Sequence, residues 1–325
     1  MTRVMCAGLL ILAMSAVTTA RAQQVVEPCK PETLPVFKAT PAALTTPTTP
    51  TTLDARVRAE VAAFKGRVTL HAKNLETGAV YDLDGAAAVR TASTIKVPIM
   101  VEAFARVAEG RAKWTDELIL TEAKKVSGAG VLKDLSGGLR VSLRDAVTLM
   151  IILSDNTATN MVLDVLTADA VNARMDALGL KETRALRKVN GGGVSKAGKE
   201  EANNRFGLGK STPREMVSLL EKLERGEVIS PAVSKEMIEL LKRQQAHDGI
   251  FRGEWKLTTA TKPGALDALR SDVGIAYTPR GRIALAITCD DMPEIDWSVD
   301  NPAQLLMSRL SKMLIDGLAQ TTKEE

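Results

Sequence analysis

The sequence predicts an α+β fold, an α/β sandwich on a five-stranded antiparallel sheet whose strands come from both ends of the chain. Three observations carry that expectation. Residues Arg67 to Asn74 alternate like a strand, Glu76-Thr77-Gly78 turns, and Ala79 to Leu83 returns as the hairpin partner. Toward the other end, Lys256 to Thr261, Asp272 to Thr278 and Arg282 to Thr288 read as three more strands, with Pro279-Arg280-Gly281 as a turn. Between the two strand groups lies a long stretch of helical periodicity, expected to be an all-helical insertion. Helices are expected at Arg56 to Phe64 and at about Asn301 to Leu318, so the folded unit runs over residues 53–320.

Composition narrows the function. The chain has 325 residues, 45% apolar and 25% charged, which suits a globular protein with a large core. Aromatic residues at 3% leave little for stacking on bases, and a net charge of +4 is too small to predict a polyanion partner, so no nucleic-acid partner is expected. There are only two histidines, His71 and His247. They exclude a His-rich zinc site and leave at most two versions of a Ser-His-Asp triad; both read as structural, and no cofactor or metal is expected.

Residues 1–22 carry Arg3, an apolar run from Val4 to Val17 too short to span a bilayer, and Ala20-Arg21-Ala22, the pattern of a cleaved secretory signal. The expected location is periplasmic or secreted, without a membrane span in the mature protein. Residues 23–52 read as a linker, nearly all Thr, Pro and Ala from Thr40 on. Export would permit a disulfide between Cys29 and Cys289, but the place of Cys29 in this extension favours two unpaired thiols.

Three short motifs carry the chemistry. Ser93-Thr94-Ile95-Lys96 opens a helix whose Met100, Phe104 and Val107 follow the helical period. Residues three apart share a face, so Lys96 can reach Ser93; a lysine whose pKa is lowered by burial or a nearby cation can take the proton that a serine must lose to become a nucleophile. Next, the apolar helix Leu143 to Leu153 stops at Ser154-Asp155-Asn156. Polar groups at the end of a buried helix must be satisfied or functional. Here Ser154 can relay a proton and the Asn156 amide can bind a carbonyl. Finally, Lys262-Pro263-Gly264 ends the strand from Lys256, offering a cation for a carboxylate and, at Gly264, close approach to the backbone.

In order and spacing these motifs resemble those of the class A β-lactamases, within the wider clan of penicillin-recognising serine enzymes. The likeness runs from about Leu53 to Leu318 and includes Asp272-Val273-Gly274. It implies a β-lactamase/D,D-peptidase-like fold, a small-molecule β-lactam substrate and a monomer. By this resemblance Ser93 is the acylated nucleophile, Lys96 its proton partner and Ser154 the donor to the departing lactam nitrogen. Asn156 holds the substrate side-chain amide and Lys262 attracts its carboxylate. Gly264 admits the ligand, and the N–H groups of Ser93 and Ala265 form the oxyanion hole. Arg270, Arg280 and Arg282 are further candidates for the carboxylate.

Two departures matter. The family usually has a hydroxyl residue where this chain has Pro263, which removes a hydroxyl and a backbone donor. The family's deacylating glutamate lies four residues before an asparagine; Glu200 with Asn204 fits that spacing, and Glu201 is the near alternative. The expected function is a serine β-lactamase conferring antibiotic resistance. The alternatives are a D,D-peptidase-like hydrolase, which needs no water-activating glutamate, and a non-catalytic penicillin-binding or sensor domain.

Overall fold

The computed structural model describes residues 52–319. The signal segment, the linker and Cys29 lie outside the described residues, and with them the expectations about export and a Cys29 to Cys289 bridge.

Helix α1 (Leu53–Ala62) starts where Thr52 Oγ1 accepts the Ala55 N–H at 3.2 Å, a side-chain cap on an otherwise orphaned donor. The hairpin β1 (Arg67–Asn74) and β2 (Val80–Leu83) follows, then β3 (Val89–Arg90) and α2 (Lys96–Ala108). The inserted stretch continues with β4 (Glu117–Ile119), β5 (Arg140–Ser142), α3 (Leu143–Ile152), α4 (Asn156–Leu166), α5 (Ala168–Ala177), β6 (Arg184–Ala185) and β7 (Gly209–Ser211). Helices α6 (Pro213–Glu224) and α7 (Pro231–Leu241) lead to β8 (Thr258–Leu266), β9 (Leu269–Thr278), β10 (Gly281–Asp290) and α8 (Pro302–Leu318).

The main sheet has the order β2-β1-β10-β9-β8, antiparallel throughout, so strands from the two chain ends meet at its centre with Leu70 opposite Ile287. Period-two alternation along β10 sorts the faces. Ile283, Leu285 and Ile287 join Val57 and Leu310 in the core under α1 and α8, while Ala284 and Ala286 face the core of the helical insertion with Met100 and Met150. The small alanines let α6 pack close to that face. No helix among the described residues is long and apolar enough to cross a membrane.

Two expectations need correction. The insertion is not all helical, since β3, β7 and β6 form one small sheet and β4 and β5 another. Strands of two or three residues are too short to show an alternating pattern. Lys262-Pro263-Gly264 does not end its strand either: β8 runs on to Leu266, with Pro263 opposite Asp272 in register. Proline is tolerated because β8 is an edge strand. Lys262 is thereby held in a sheet rather than at a turn.

Candidate active site

Ser93 sits in a tight 3-10 turn, Ala92–Ile95, from which α2 departs at Lys96. Ala92 is in the left-handed region at φ 45°, a conformation that costs a residue with a Cβ about 1–3 kcal/mol unless its surroundings impose it. They do so from two sides. The Thr91 N–H donates to Gly209 O at 3.1 Å, and β8 presses against the turn at Gly264, where an added Cβ would lie 2.8 Å from Ser93 N and 2.8 Å from Thr91 O. Both are backbone atoms with little room to yield. Gly264→Ala is therefore expected to push β8 off the serine and slow acylation by at least about 100-fold, on the scale of a misplaced catalytic group. Stopped labelling assays with a penicillin measure it, and a wild-type rate in a folded variant would refute this account of Gly264.

The second motif is built by Asp155. Its carboxylate caps α4 through the Ala158 N–H at 2.8 Å and accepts the N–H groups of Val131 and Leu132 at 2.7 and 2.9 Å. The sequence reading assigned Asp155 no role, although its place between Ser154 and Asn156 was the available signal. Ser154 takes a left-handed φ of 57°, which lets the chain turn sharply from α3 into α4.

Two lysines converge on that turn, and both are fully buried. Lys96 Nζ donates to Ser154 O at 2.7 Å, Ser154 Oγ at 3.1 Å and Asn156 Oδ1 at 2.9 Å. Lys262 Nζ donates to the same Ser154 Oγ at 3.0 Å and to Pro263 O at 2.7 Å. A hydroxyl accepts through two lone pairs and keeps one proton to donate, so Ser154 can receive from both lysines and still offer its hydrogen to a third partner. Burial, reinforced by the Lys262 charge, holds Lys96 well below the ordinary lysine range. Burial lowers Lys262 to about 7, partly countered by Asp272 on the neighbouring strand. That carboxyl is itself pushed up to about 6 by burial, although it accepts the Thr261 hydroxyl at 2.7 Å and the Ile250 N–H at 3.1 Å.

A cleft of about 220 Å³ opens in front of Ser93. Asn156, Ala265, Leu266 and the segment Arg187 to Asn190 are among the residues that line it. That segment is rigidly mounted, because the Val189 N–H donates to Asn160 Oδ1 at 2.9 Å and Asn160 Nδ2 donates back to Val189 O at 3.1 Å. Sequence reasoning passed over these four residues, which match no motif.

A family model described as the beta-lactamase enzyme family matches residues 52–318. The chain belongs to this family. Among solved structures, a β-lactamase from Sphaerobacter thermophilus is similar at 27% identity and a TM-score of 0.72, covering 82% of this chain and 96% of that one. PBP-A is similar at 25% identity and a TM-score of 0.71, covering 81% of this chain and 94% of that one. An ancestral class A β-lactamase at 19% identity, with a TM-score of 0.71 over 82% of this chain and 99% of that one, shares the fold. No curated protein matches the chain.

Within this β-lactamase-family fold, the structure brings Ser93, Lys96, Ser154, Asn156, Lys262, Gly264 and Ala265 together and leaves Glu200 and Glu201 apart. Both glutamates are exposed and neither lines the cleft. Glu200 Oε2 accepts from Asn203 Nδ2 at 3.0 Å, one residue short of the expected Asn204. Upstream of them the run Gly191-Gly192-Gly193, all at positive φ, folds the chain back so that the Lys188 N–H bonds Gly192 O and the Ser195 N–H bonds Leu186 O, both at 2.9 Å. Among the described residues lining the cleft, none carries a carboxylate.

Of the arginines expected to serve a substrate carboxylate, two are engaged elsewhere and the third lies away from the cleft. Arg270 donates to the carbonyls of Leu266 (2.6 Å), Leu269 (2.8 Å) and Asp296 beneath the Trp297 ring. Arg282 pairs with Glu76 and Glu224, and Arg280 lies exposed at the far turn. His71 bonds Asp82 at 2.7 Å and His247 lies against Trp255, so neither reaches the serine.

Proposed function

We propose that this β-lactamase-family protein is a serine acyl-transfer enzyme, acylated at Ser93 by β-lactams and by peptides of the kind that D,D-peptidases cleave, and slow to release the acyl group. The observation that carries the reading is the Ser154 hydroxyl held between two buried lysines. Neutral Lys96 takes the Ser93 Oγ proton as the oxygen attacks the carbonyl carbon, and the N–H groups of Ser93 and Ala265 bind the resulting oxyanion. The tetrahedral species collapses by breaking the C–N bond. Ser154 gives its proton to the departing nitrogen and is reprotonated by Lys96, which returns to its starting state. Lys262 supplies the positive charge for the substrate carboxylate, and Asn156 borders the acyl side.

Releasing the acyl group requires a base for water, and among the described residues lining the cleft none carries a carboxylate. The peptidase-like alternative therefore fits this geometry better than a fast, resistance-conferring β-lactamase. The likeness to the Sphaerobacter β-lactamase at 27% identity supports hydrolysis of β-lactams with turnover as a second reading. A chromogenic cephalosporin separates the two: one equivalent released in a burst and then a slow phase supports the proposal, and sustained turnover supports the second. Action in the periplasm or outside the cell, where residues 1–22 would direct the chain, belongs to the same proposal.

Acylation needs Lys96 neutral and Lys262 charged, which fixes the pH dependence. Raising pH through the depressed Lys96 value supplies the base, and raising it through about 7 discharges Lys262. The kcat/KM for acylation, which reports the free enzyme, is expected to fall as pH rises through about 7. Lys262→Arg, whose charge does not titrate in this range, should carry the falling limb upward. A wild-type profile flat across neutrality would contradict these assignments.

A further inference from the structure

Arg187 stands in the wall of the serine cleft, and the acylation chemistry leaves it unused. Its backbone is fixed on both sides. Strand β6 pairs with β7, the Leu186 N–H donates to Leu208 O at 2.9 Å, and the Lys188 N–H donates to Gly192 O at 2.9 Å. Its guanidinium lies beside Gly207, where an added Cβ would sit 3.8 Å from Nη2.

The side chain is half-buried, yet among the described residues its guanidinium has no ion pair and no hydrogen-bond acceptor. The neighbouring cation, Lys188, is already paired with Asp164. A guanidinium carries five donors in a planar fork suited to a carboxylate, and partial removal from water strengthens its need for an anion. The cleft walls supply none.

The position of Arg187 says which part of a substrate would bring that anion. The cleft lined by Arg187 also contains Asn156, the residue proposed to border the acyl side, together with Ala265 and Leu266. Ser154 and Lys262, which serve the leaving nitrogen and its carboxylate, are not among its lining. An anion at Arg187 is therefore a second one, on the half of the substrate that stays bound to Ser93.

We infer that Arg187 is a specificity-determining residue that selects acyl donors carrying a carboxylate on the acyl side chain. This rests on the proposed acylation of Ser93, and the test separates the two. Benzylpenicillin and α-carboxybenzylpenicillin differ by one carboxylate at the acyl side chain, and intact-mass labelling gives the second-order acylation constant for each. The wild-type protein should favour the carboxylated compound by about tenfold, equivalent to about 1.4 kcal/mol. Added salt should shrink that preference, because the pair is only half-buried. In Arg187→Gln the ratio should fall to about one, and Arg187→Lys should keep part of it.

Equal ratios in the wild type and both variants, with adducts forming normally, overturn the role of Arg187 and leave the acylation reading standing. No adduct with either penicillin in the wild type overturns both. Should Arg187→Gln fail to fold, the Lys variant and the salt dependence of the wild-type ratio still decide, since a preference that neither moves would not come from this guanidinium.

Discussion

Ser93→Ala is expected to lose all covalent labelling by penicillins and all turnover while keeping a melting temperature close to that of the wild type. The size of the effect follows from chemistry, because without an oxygen nucleophile no acyl-enzyme can form; removing a serine nucleophile from a comparable hydrolase costs on the order of 10⁶ in rate. The small effect on stability follows from structure. Among the described residues the Ser93 hydroxyl makes no hydrogen bond to another side chain, and the strained turn around it is held by backbone contacts at Gly209 and Gly264 that alanine retains. Intact mass after incubation with benzylpenicillin, with a thermal melt alongside, measures both. Labelling that persists in this variant would remove Ser93 from the mechanism.

The second large effect is a gain. Val189 is half-buried in the cleft wall, and its backbone is clamped by Asn160 on α4, the helix that begins at Asn156. Residues four apart share a helix face, so the wall and the substrate-facing end of α4 form one rigid unit. A carboxylate introduced at Val189 would face the same cleft as Ser93, where it could accept a proton from an attacking water. General bases contribute about 10²–10⁴-fold, so Val189→Glu should shorten the life of the penicilloyl-enzyme by at least about 100-fold. The nearby guanidinium of Arg187 favours the charged form of that carboxyl, which keeps it a base at neutral pH. Adduct lifetime by mass spectrometry is the readout. An adduct as persistent as in the wild type would show that slow release has another cause.

The central sheet was legible in the sequence because β1, β9 and β10 bury alternating faces on two cores, and that alternation is written in Leu70, Ile283, Leu285 and Ile287. The extent of β8 was not, because Pro263-Gly264 reads locally as a turn; its strand character comes from pairing with β9 and from contact with the serine turn. The reactive groups were legible for a different reason. Ser93, Lys96, Ser154 and Lys262 belong to three motifs whose order signals that the chain brings them together, and the two lysines meet at the Ser154 hydroxyl. The spacing of Glu200 to Asn204 carried no such information. A glutamate near an asparagine says nothing about where a glycine-rich loop points, and three glycines at positive φ turn the wall over to Arg187 to Asn190 instead. Nothing in the identity of those four residues announces a cleft, because their place there is set by β6, β7 and Asn160.

The central claim is that this site forms the acyl-enzyme efficiently but, among the described residues lining its cleft, holds no carboxylate to release it. The lifetime of the benzylpenicillin adduct, followed by intact mass in the wild type and in Glu200→Gln, Glu201→Gln, tests it most directly. The account predicts one stoichiometric, slowly decaying adduct in the wild type and the same decay in the double variant. An adduct that never accumulates in the wild type but persists in the double variant would place the deacylating base at one of these glutamates and contradict the account.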